Sequence, residues 1–188
     1  MVWLAAIVCI SLAADARAPA VIESRSGDAY VIEGSFPVFA SAEVVWKVLS
    51  DYAQFPSFVS SVTKSTIISR HADAVVIDQE AIAKLGPFSR ILHLRLAVRE
   101  VPGHALSFRD VSGRDFVRQE GSWSIAEQSA GEQWLGCIVT YHLLAEPRVR
   151  VPQFIGGSIF RDTAIHLLSE VRDEIEKRAA LTLSGDHP

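Results

Sequence analysis

The chain contains no asparagine among its 188 residues, so it has no acceptor site for N-glycosylation. Cysteine is nearly as scarce, with only Cys9 and Cys137. If the N-terminal segment is removed, Cys137 stands alone, which excludes an internal disulfide, and the spacing indicates no metal site. Excess positive charge is also lacking. The formal net charge is −4 and no basic stripe occurs, so a nucleic-acid partner is not predicted.

Long apolar runs are absent beyond the N-terminus, which leaves no predicted membrane-spanning helix downstream. The chain begins "MVWLAAIVCISLAADARA", with an apolar core over Val2–Ala14 and A-x-A patterns ending at Ala16 and Ala18. We interpret residues 1–18 as a signal peptide and expect a periplasmic or secreted protein. Pro19 would follow a cut after Ala18, which favours the earlier site. A retained apolar anchor or a misassigned start are the alternatives.

The first part of the mature chain predicts a strand followed by a short helix. Residues 19–28 form a polar lead, and the stretch "AYVIEGSFPVFA" predicts a strand with a Gly-Ser interruption. Ser41 is a suitable helix N-cap, with Glu43 in the first turn. Pro56 restricts its neighbour and removes a donor, so the helix cannot continue far past it. The predicted apolar face of this helix consists of Val44, Val45, Val48 and Leu49.

The middle of the chain alternates apolar runs with turn signals, which predicts an antiparallel meander. The predicted strands are Thr63–Ser69, Ala74–Lys84, Phe88–Val101, Ala105–Val111, Phe116–Ile125 and Gln133–Ala145.

A long amphipathic helix is predicted from Phe154 to about Leu181. Its apolar stripe consists of Ile155, Ile159, Thr163, Leu167, Val171 and Ile175, widened by Phe160, Ala164 and Leu168. A sheet that curls around such a helix leaves space between them unless large side chains fill it. The order of elements therefore predicts an α+β protein with a pocket between sheet and helix.

Three motifs resemble the START-like, or SRPBCC, superfamily, and more narrowly its polyketide cyclase/dehydrase and Coq10-type branch. They are "ASAEVVWKVLSDYAQFPSFV", "SGRDFVRQEGSWSI" and "VTYHLLAEPRVRVPQFIGGSIFRDT", in the family's order over about residues 30–178. The stretch "SGRD" departs from the tighter turn of many relatives. The resemblance implies a helix-grip fold, a curved antiparallel sheet wrapped around the C-terminal helix with a hydrophobic cavity between them. Tyr52, Phe55 and Phe58 would form a lid at one end of the cavity or simply plug it.

The predicted domain organisation is a START-like ligand-binding domain over residues 29–181 and a tail over 182–188.

The usual catalytic and cofactor-binding motifs are missing from the sequence: no G-x-S-x-G, P-loop, H-E-x-x-H or G-x-G-x-x-G occurs. Asp162, His166 and Glu170 recur at i, i+4 spacing, which could serve metal binding or acid–base chemistry but more simply forms a solvated, salt-bridged edge. The glycine pair in "FIGGSIF" could bind an anion at a helix start or allow close packing. We therefore predict no catalytic residue, no metal and no cofactor.

Strand alternation selects side chains that face the helix. Trp123 and Tyr141 share one phase with Val117, Gln119, Ile125, Val139 and Leu143, whereas His93 and His142 fall out of phase. Tyr and Trp combine an apolar body with a polar tip, which suits a mostly hydrophobic ligand, although plain core packing needs the same residues. The predicted ligand-binding residues are Trp123, Tyr141, Gln79, Leu143, Phe58, Ile159, Thr163 and Leu167.

Two functions from different classes fit these features. The first is a non-catalytic carrier or sensor of a lipid, quinone or polyketide-like molecule. The second is an enzyme of the cyclase, aromatase or dehydratase type, which would need inward acid–base groups. A third alternative is a protein-interaction module with a filled core. The predicted partner is a hydrophobic small molecule, with allowance for transient membrane contact, and the sequence leaves the oligomeric state open.

Overall fold

The structure is a computed structural model that describes residues 18–85, 88–149 and 153–185. An eight-stranded antiparallel sheet wraps around one long helix, with two short helices between the second and third strands. The strands are β1 (Ala20–Ser26), β2 (Ala29–Val38), β3 (Val62–His71), β4 (Ala74–Leu85), β5 (Phe88–Val101), β6 (Ala105–Asp110), β7 (Phe116–Ala130) and β8 (Gln133–Pro147). The helices are α1 (Ala42–Leu49), α2 (Phe55–Phe58) and α3 (Gln153–Gly185). The predicted helix-grip fold is confirmed.

The sheet order is β1-β2-β8-β7-β6-β5-β4-β3, so β3 to β8 form the predicted meander. The first two strands close onto the last one, with Tyr30 opposite Ala145 and Val38 opposite Cys137. The sheet therefore has two edges, β1 and β3, and its inner face is covered by α3.

The polar lead expected over residues 19–28 is a strand instead. β1 pairs with β2 through a two-residue turn at Gly27 and Asp28, with Ser26 opposite Ala29. The sequence pattern does not predict this strand, because most of its side chains are exposed, which an edge strand tolerates. The dipeptide Gly-Asp was the available signal.

The segment after β2 follows the predicted start and stop signals. The Ser41 hydroxyl accepts a hydrogen bond from the Val44 backbone N–H at 3.3 Å, and Val45, Val48 and Leu49 are buried. After one turn of 3₁₀ helix, α2 begins with Pro56 in its first turn, where the missing N–H costs nothing. The predicted break is thus the point where α1 ends and two shorter helical segments begin.

The long helix α3 is close to its predicted bounds but runs to Gly185, so the expected tail at 182–188 begins as helix. Its apolar stripe divides into two halves. Ala164, Leu168, Val171 and Ile175 are buried in the core. The other half, Ile159, Thr163 and Leu167, faces the space between α3 and the sheet.

Candidate functional site

A cavity of about 250 Å³ lies between the inner face of the sheet and α3. Because large side chains do not fill this space, the structure does not fit the alternative of a filled-core module. The lining residues that are exposed, Arg90, Thr163 and Val149, mark its mouth near the start of β5, the end of β8 and the first half of α3. At the other end the wall is closed by Leu49, Tyr52, Val62, Val98 and Leu106, all buried.

Seven of the eight residues predicted to bind ligand line this cavity: Gln79, Trp123, Tyr141, Leu143, Ile159, Thr163 and Leu167. Phe58 is not among the lining residues. Its ring packs on Phe55, with 5.1 Å between ring centroids, and lies beneath the guanidinium of Arg178. The helical turn of α2 thus presents Phe55 to the cavity and Phe58 to α3, and the choice between a lid and a plug stays a prediction.

The inward phase of the late strands is correct apart from one residue. Trp123 stands opposite Tyr141, with 4.5 Å between their ring centroids, and both are buried. Val117, however, is 54% exposed, and Phe116 points inward in its place. The pairing shifts between Phe116 and Arg118, where two steps on β7 oppose one on β8. Such a bulge reverses the alternation, and nothing in the sequence marks it.

The glycine of the Gly-x-Trp motif makes room for an aromatic contact in the wall. A Cβ atom on Gly121 would lie 2.6 Å from the Phe108 ring. Phe108 stacks with Tyr141 at 6.4 Å between centroids. The three rings Phe108, Tyr141 and Trp123 thus form one continuous aromatic wall of the cavity.

Two glutamines are among the neutral polar residues in the largely apolar wall. Gln119 on β7 lines the cavity, and its side-chain oxygen is buried without a hydrogen-bond partner. Gln79 on β4 also lines the cavity, and its cross-strand neighbour Ser65 has a buried, unpartnered hydroxyl. Among the described residues, none hydrogen-bonds to the Tyr141 hydroxyl or to either glutamine side chain. Burial raises the pKa of Tyr141 above its ordinary value, so this hydroxyl is neutral.

An ion pair stands at the mouth. Asp115 is buried and accepts hydrogen bonds from the Arg90 guanidinium at 2.5 Å and from the His93 backbone N–H at 2.8 Å. Burial acts to raise the pKa of Asp115, but the His93 N–H and the Arg90 charge outweigh it, so the pKa lies below its usual value. The departure "SGRD" noted in the sequence supplies this aspartate. Its carboxylate accepts the His93 N–H of β5 at a position where β5 has no pairing with β6.

A second buried carboxylate lies behind the closed end. Glu100 accepts hydrogen bonds from the Tyr52 hydroxyl at 2.7 Å and from Arg70 at 2.9 and 3.2 Å. The Arg70 guanidinium lies over the Tyr52 ring at 5.7 Å. Burial, then the hydrogen bond to Glu100 and its charge, raise the pKa of Tyr52 far above its ordinary value. This network fixes the segment after α1 to the sheet.

The other candidate sites have packing or hydrogen-bonding contacts in the described structure. Gly156 and Gly157 allow close packing, because a Cβ atom at these positions would meet Tyr30 and Glu23. Asp162 and His166 are exposed, whereas Glu170 accepts a hydrogen bond from the Ser60 backbone N–H. Burial, together with the charge of Glu127, raises the pKa of the Cys137 thiol, so this cysteine lacks the thiolate character of a nucleophile.

In residues 18–85, 88–149 and 153–185, no group of three or more His, Cys, Asp or Glu side chains is arranged to hold a metal ion. None of the helices in the same part of the chain is long and apolar enough to cross a membrane.

The sequence placed Tyr52 and Phe55 at one end of the cavity, and both line it, but it did not indicate the residues of the mouth or one ring of the wall. Arg90 and Asp115 line the mouth, and Phe108 belongs to the aromatic wall. Alternation on β5 and β6 could have identified Phe108 as inward-facing. The Arg90–Asp115 pair joins β5 to the connection between β6 and β7, and no spacing rule predicts it.

Comparison with known proteins agrees with this architecture. The family described as "Polyketide cyclase / dehydrase and lipid transport" matches residues 38–172, well over half of the chain, and the protein belongs to this family. No match is found among curated proteins. The finer Coq10-type assignment stays a prediction.

Solved structures share the fold at low sequence identity. A START superfamily protein from Mycobacterium smegmatis has a TM-score of 0.61 at 18% identity, covering 81% of this chain and 98% of that one. A STAR-related lipid transfer protein from Xanthomonas axonopodis has a TM-score of 0.58 at 18% identity, with coverages of 84% and 98%. The Zhui aromatase/cyclase from Streptomyces sp. R1128 has a TM-score of 0.62 at 16% identity, with coverages of 80% and 95%.

Proposed function

We propose that this protein binds and carries a hydrophobic small molecule in the cavity between the sheet and α3, without catalysing its conversion. The main support for this proposal is the cavity itself, which is about 250 Å³ in volume and apolar over most of its wall. Removing apolar surface from water is favourable in proportion to its area, so a site of this kind retains a lipophile. A related lipid transfer protein of the same fold is consistent with such a role.

The second candidate function is a cyclase, aromatase or dehydratase. It is favoured by the Tyr141 hydroxyl in the cavity wall and by the fold that the chain shares with an aromatase/cyclase. General acid–base groups work best with a pKa near the operating pH, however, and burial moves the pKa of Tyr141 away from neutrality. Asp115 is ionised and already paired with Arg90. The carrier function therefore fits the electrostatics of the wall better.

Native mass spectrometry with lipid extraction, on protein purified without detergent, tests the proposal directly. We expect a co-purified lipophile at up to one molecule per chain. Empty protein that also fails to bind any lipophile added back would contradict it.

Tyr141→Phe separates the two functions. In a carrier it should retain most affinity, with a loss of about 0.5–1.5 kcal/mol if one neutral hydrogen bond to the ligand is removed. In an enzyme that uses this hydroxyl as a general acid, binding should persist while turnover of a polyketone falls about 100-fold or more. Titration with a fluorescent quinone analogue and a polyketone turnover assay give the two readouts.

We also propose export, with processing after Ala16 or Ala18, on the basis of the sequence of the first 18 residues. N-terminal sequencing of the protein from its native cell tests this. An intact Met1 in a cytosolic fraction would contradict it.

A further inference from the structure

The cavity is small for a lipid-binding site, and its size limits what it can hold. A dry protein cavity of about 150 Å³ accommodates benzene. Scaled from that case, a volume of about 250 Å³ holds roughly ten ring atoms, the size of two fused rings. A phospholipid with two acyl chains is several times larger.

The charge of the lining is a second restriction. Arg90 and Asp115 are the charged residues among the described lining, and they neutralise each other at the mouth. Asp115 also accepts the His93 N–H, so its second oxygen is occupied as well. Farther in, the polar side chains are neutral. An anionic or cationic head group would enter without a counter-ion, which is strongly unfavourable in an apolar site.

The unpartnered polar groups define what the ligand supplies. Three of them line the cavity: the Gln119 side-chain oxygen is buried without a partner, and the Gln79 and Tyr141 side chains have none among the described residues. The amide of a glutamine turns about a broad terminal torsion, so either its donor or its acceptor can face the cavity. A hydroxyl both donates and accepts, so it satisfies the amide in either orientation.

The wall between these polar groups is aromatic. Trp123, Tyr141 and Phe108 present their rings side by side on β6, β7 and β8. A planar ring gains more from such a wall than a flexible chain does, because aromatic pairs add stacking to area burial and lose little rotamer entropy.

We propose that the ligand is an uncharged, compact aromatic compound that carries a hydroxyl group, with Gln119 and Gln79 as the specificity-determining residues. This inference rests on the proposed carrier function and narrows its ligand. It predicts discrimination on three grounds: against charged analogues, against analogues that lack the hydroxyl, and against two-chain lipids.

The test uses 2-naphthol, naphthalene and 2-naphthoate, three probes with the same ring system, titrated into the full-length protein by calorimetry. We expect 2-naphthol to bind about three- to tenfold more tightly than naphthalene, the range of one neutral hydrogen bond. We expect 2-naphthoate to bind more weakly than 2-naphthol by on the order of 100-fold, because its charge has no partner. Equal affinity of the anion and the alcohol would overturn the proposal.

Two variants locate the discrimination. Gln119→Leu is close in volume and should cost 2-naphthol its three- to tenfold advantage while leaving naphthalene affinity unchanged. Gln79→Leu tests the second polar position in the same way. Gln128→Leu is the matched control, because Gln128 lies on the same strand with an exposed side chain. If both cavity variants keep the full preference for 2-naphthol, the assignment of these residues is wrong.

A fourth probe separates this inference from the function on which it rests. The protein is incubated with phosphatidylcholine vesicles, separated from them and analysed for bound lipid. We expect none. Bound phosphatidylcholine together with failure of 2-naphthol would overturn the ligand class while leaving the carrier function intact. Failure of every probe, with no lipophile co-purified, would overturn both.

Discussion

Each end of the cavity has an ion pair between an arginine and a buried carboxylate, but the two pairs have different structural roles. At the closed end, Glu100 and Arg70 have side-chain exposures of 6% and 45%, and at the mouth Asp115 and Arg90 have 8% and 48%. The third partner differs. Glu100 accepts a side-chain hydroxyl, that of Tyr52, whereas Asp115 accepts a backbone N–H. The closed end thus joins the segment after α1 to the sheet, while the mouth completes the backbone hydrogen bonding of a strand.

The two ends also differ in how their contribution to stability depends on pH. Tyr52 has a raised pKa in the folded protein, and Asp115 has a lowered one. The closed end is therefore sensitive to alkali and the mouth to acid.

Removal of α3 has the largest expected effect, because it should unfold the protein and so eliminate both ends of the cavity. Leu168, Val171 and Ile175 are fully buried, and each contributes about 1.5–3 kcal/mol by burial. Together they approach the whole stability of a typical domain, about 5–15 kcal/mol. A chain ending at Pro152 is expected to be insoluble or to lack a cooperative thermal transition by circular dichroism. A soluble truncation with a sharp transition would show that α3 is an appendage.

Thr163→Trp should block the mouth while sparing the closed end. Thr163 lies on the cavity face of α3 and is exposed, so a larger side chain can occupy the cavity without a clash in the packed core. We expect loss of binding of a fluorescent lipophile at a melting temperature close to that of the wild type. Thr182→Trp, an exposed position on the same helix, is the control and should bind normally. Full binding by a folded Thr163→Trp protein would show that the ligand does not bind in the cavity beside Thr163.

Tyr52→Phe tests the alkaline sensitivity of the closed end. The tyrosine pKa is raised on folding, so its contribution is complete below the unfolded value of about 10 and is lost as the pH rises above it. The loss is at most about 1.4 kcal/mol per pH unit for one such group. Urea unfolding at pH 8 and pH 11 should show a smaller alkaline loss in the variant. An unchanged loss would assign the effect to other groups, Tyr141 among them.

Asp115→Asn tests the acid sensitivity of the mouth and has the smallest expected effect. The aspartate pKa is lowered on folding, so its contribution is present above the unfolded value of about 3.9 and is lost as the pH falls below it. At pH 7 the variant should lose about 1 kcal/mol, a modest figure because Arg90 is half exposed. Thermal melts at pH 7 and pH 3 should show a smaller difference for the variant. A difference as large as that of the wild type would contradict the assignment.

Periodicity sufficed for the parts of the fold that repeat. The meander β3 to β8, the Ser41 cap and the two faces of α3 all follow from alternation and capping chemistry. Periodicity failed where a bulge breaks the alternation, as in β7, where Phe116 faces inward and not Val117. It also failed in β1, where most side chains are exposed and show no apolar alternation. The cavity wall was predicted better than its mouth, because strand phase identifies inward residues within one strand.

The residues at the ends of the cavity meet through tertiary contacts between distant segments. Tyr52 and Glu100 are 48 positions apart, and Arg90 and Asp115 are 25 apart. No local pattern records such pairs. Phe58 shows the same limit, since its direction depends on one turn of helix after Pro56.

The pairing of β2 with β8 has a consequence for how the chain reaches this structure. Tyr30 is opposite Ala145, so most of the chain separates the two strands along the sequence. Contacts of such long sequence separation are slow to form, because the loop must close before the pairing is rewarded. During synthesis Ile32 and Phe36, both fully buried in the folded protein, have no β8 to pair beside them until the chain has been made as far as Pro147. The hairpin of β1 and β2 is therefore the segment whose aggregation a chaperone would have to prevent.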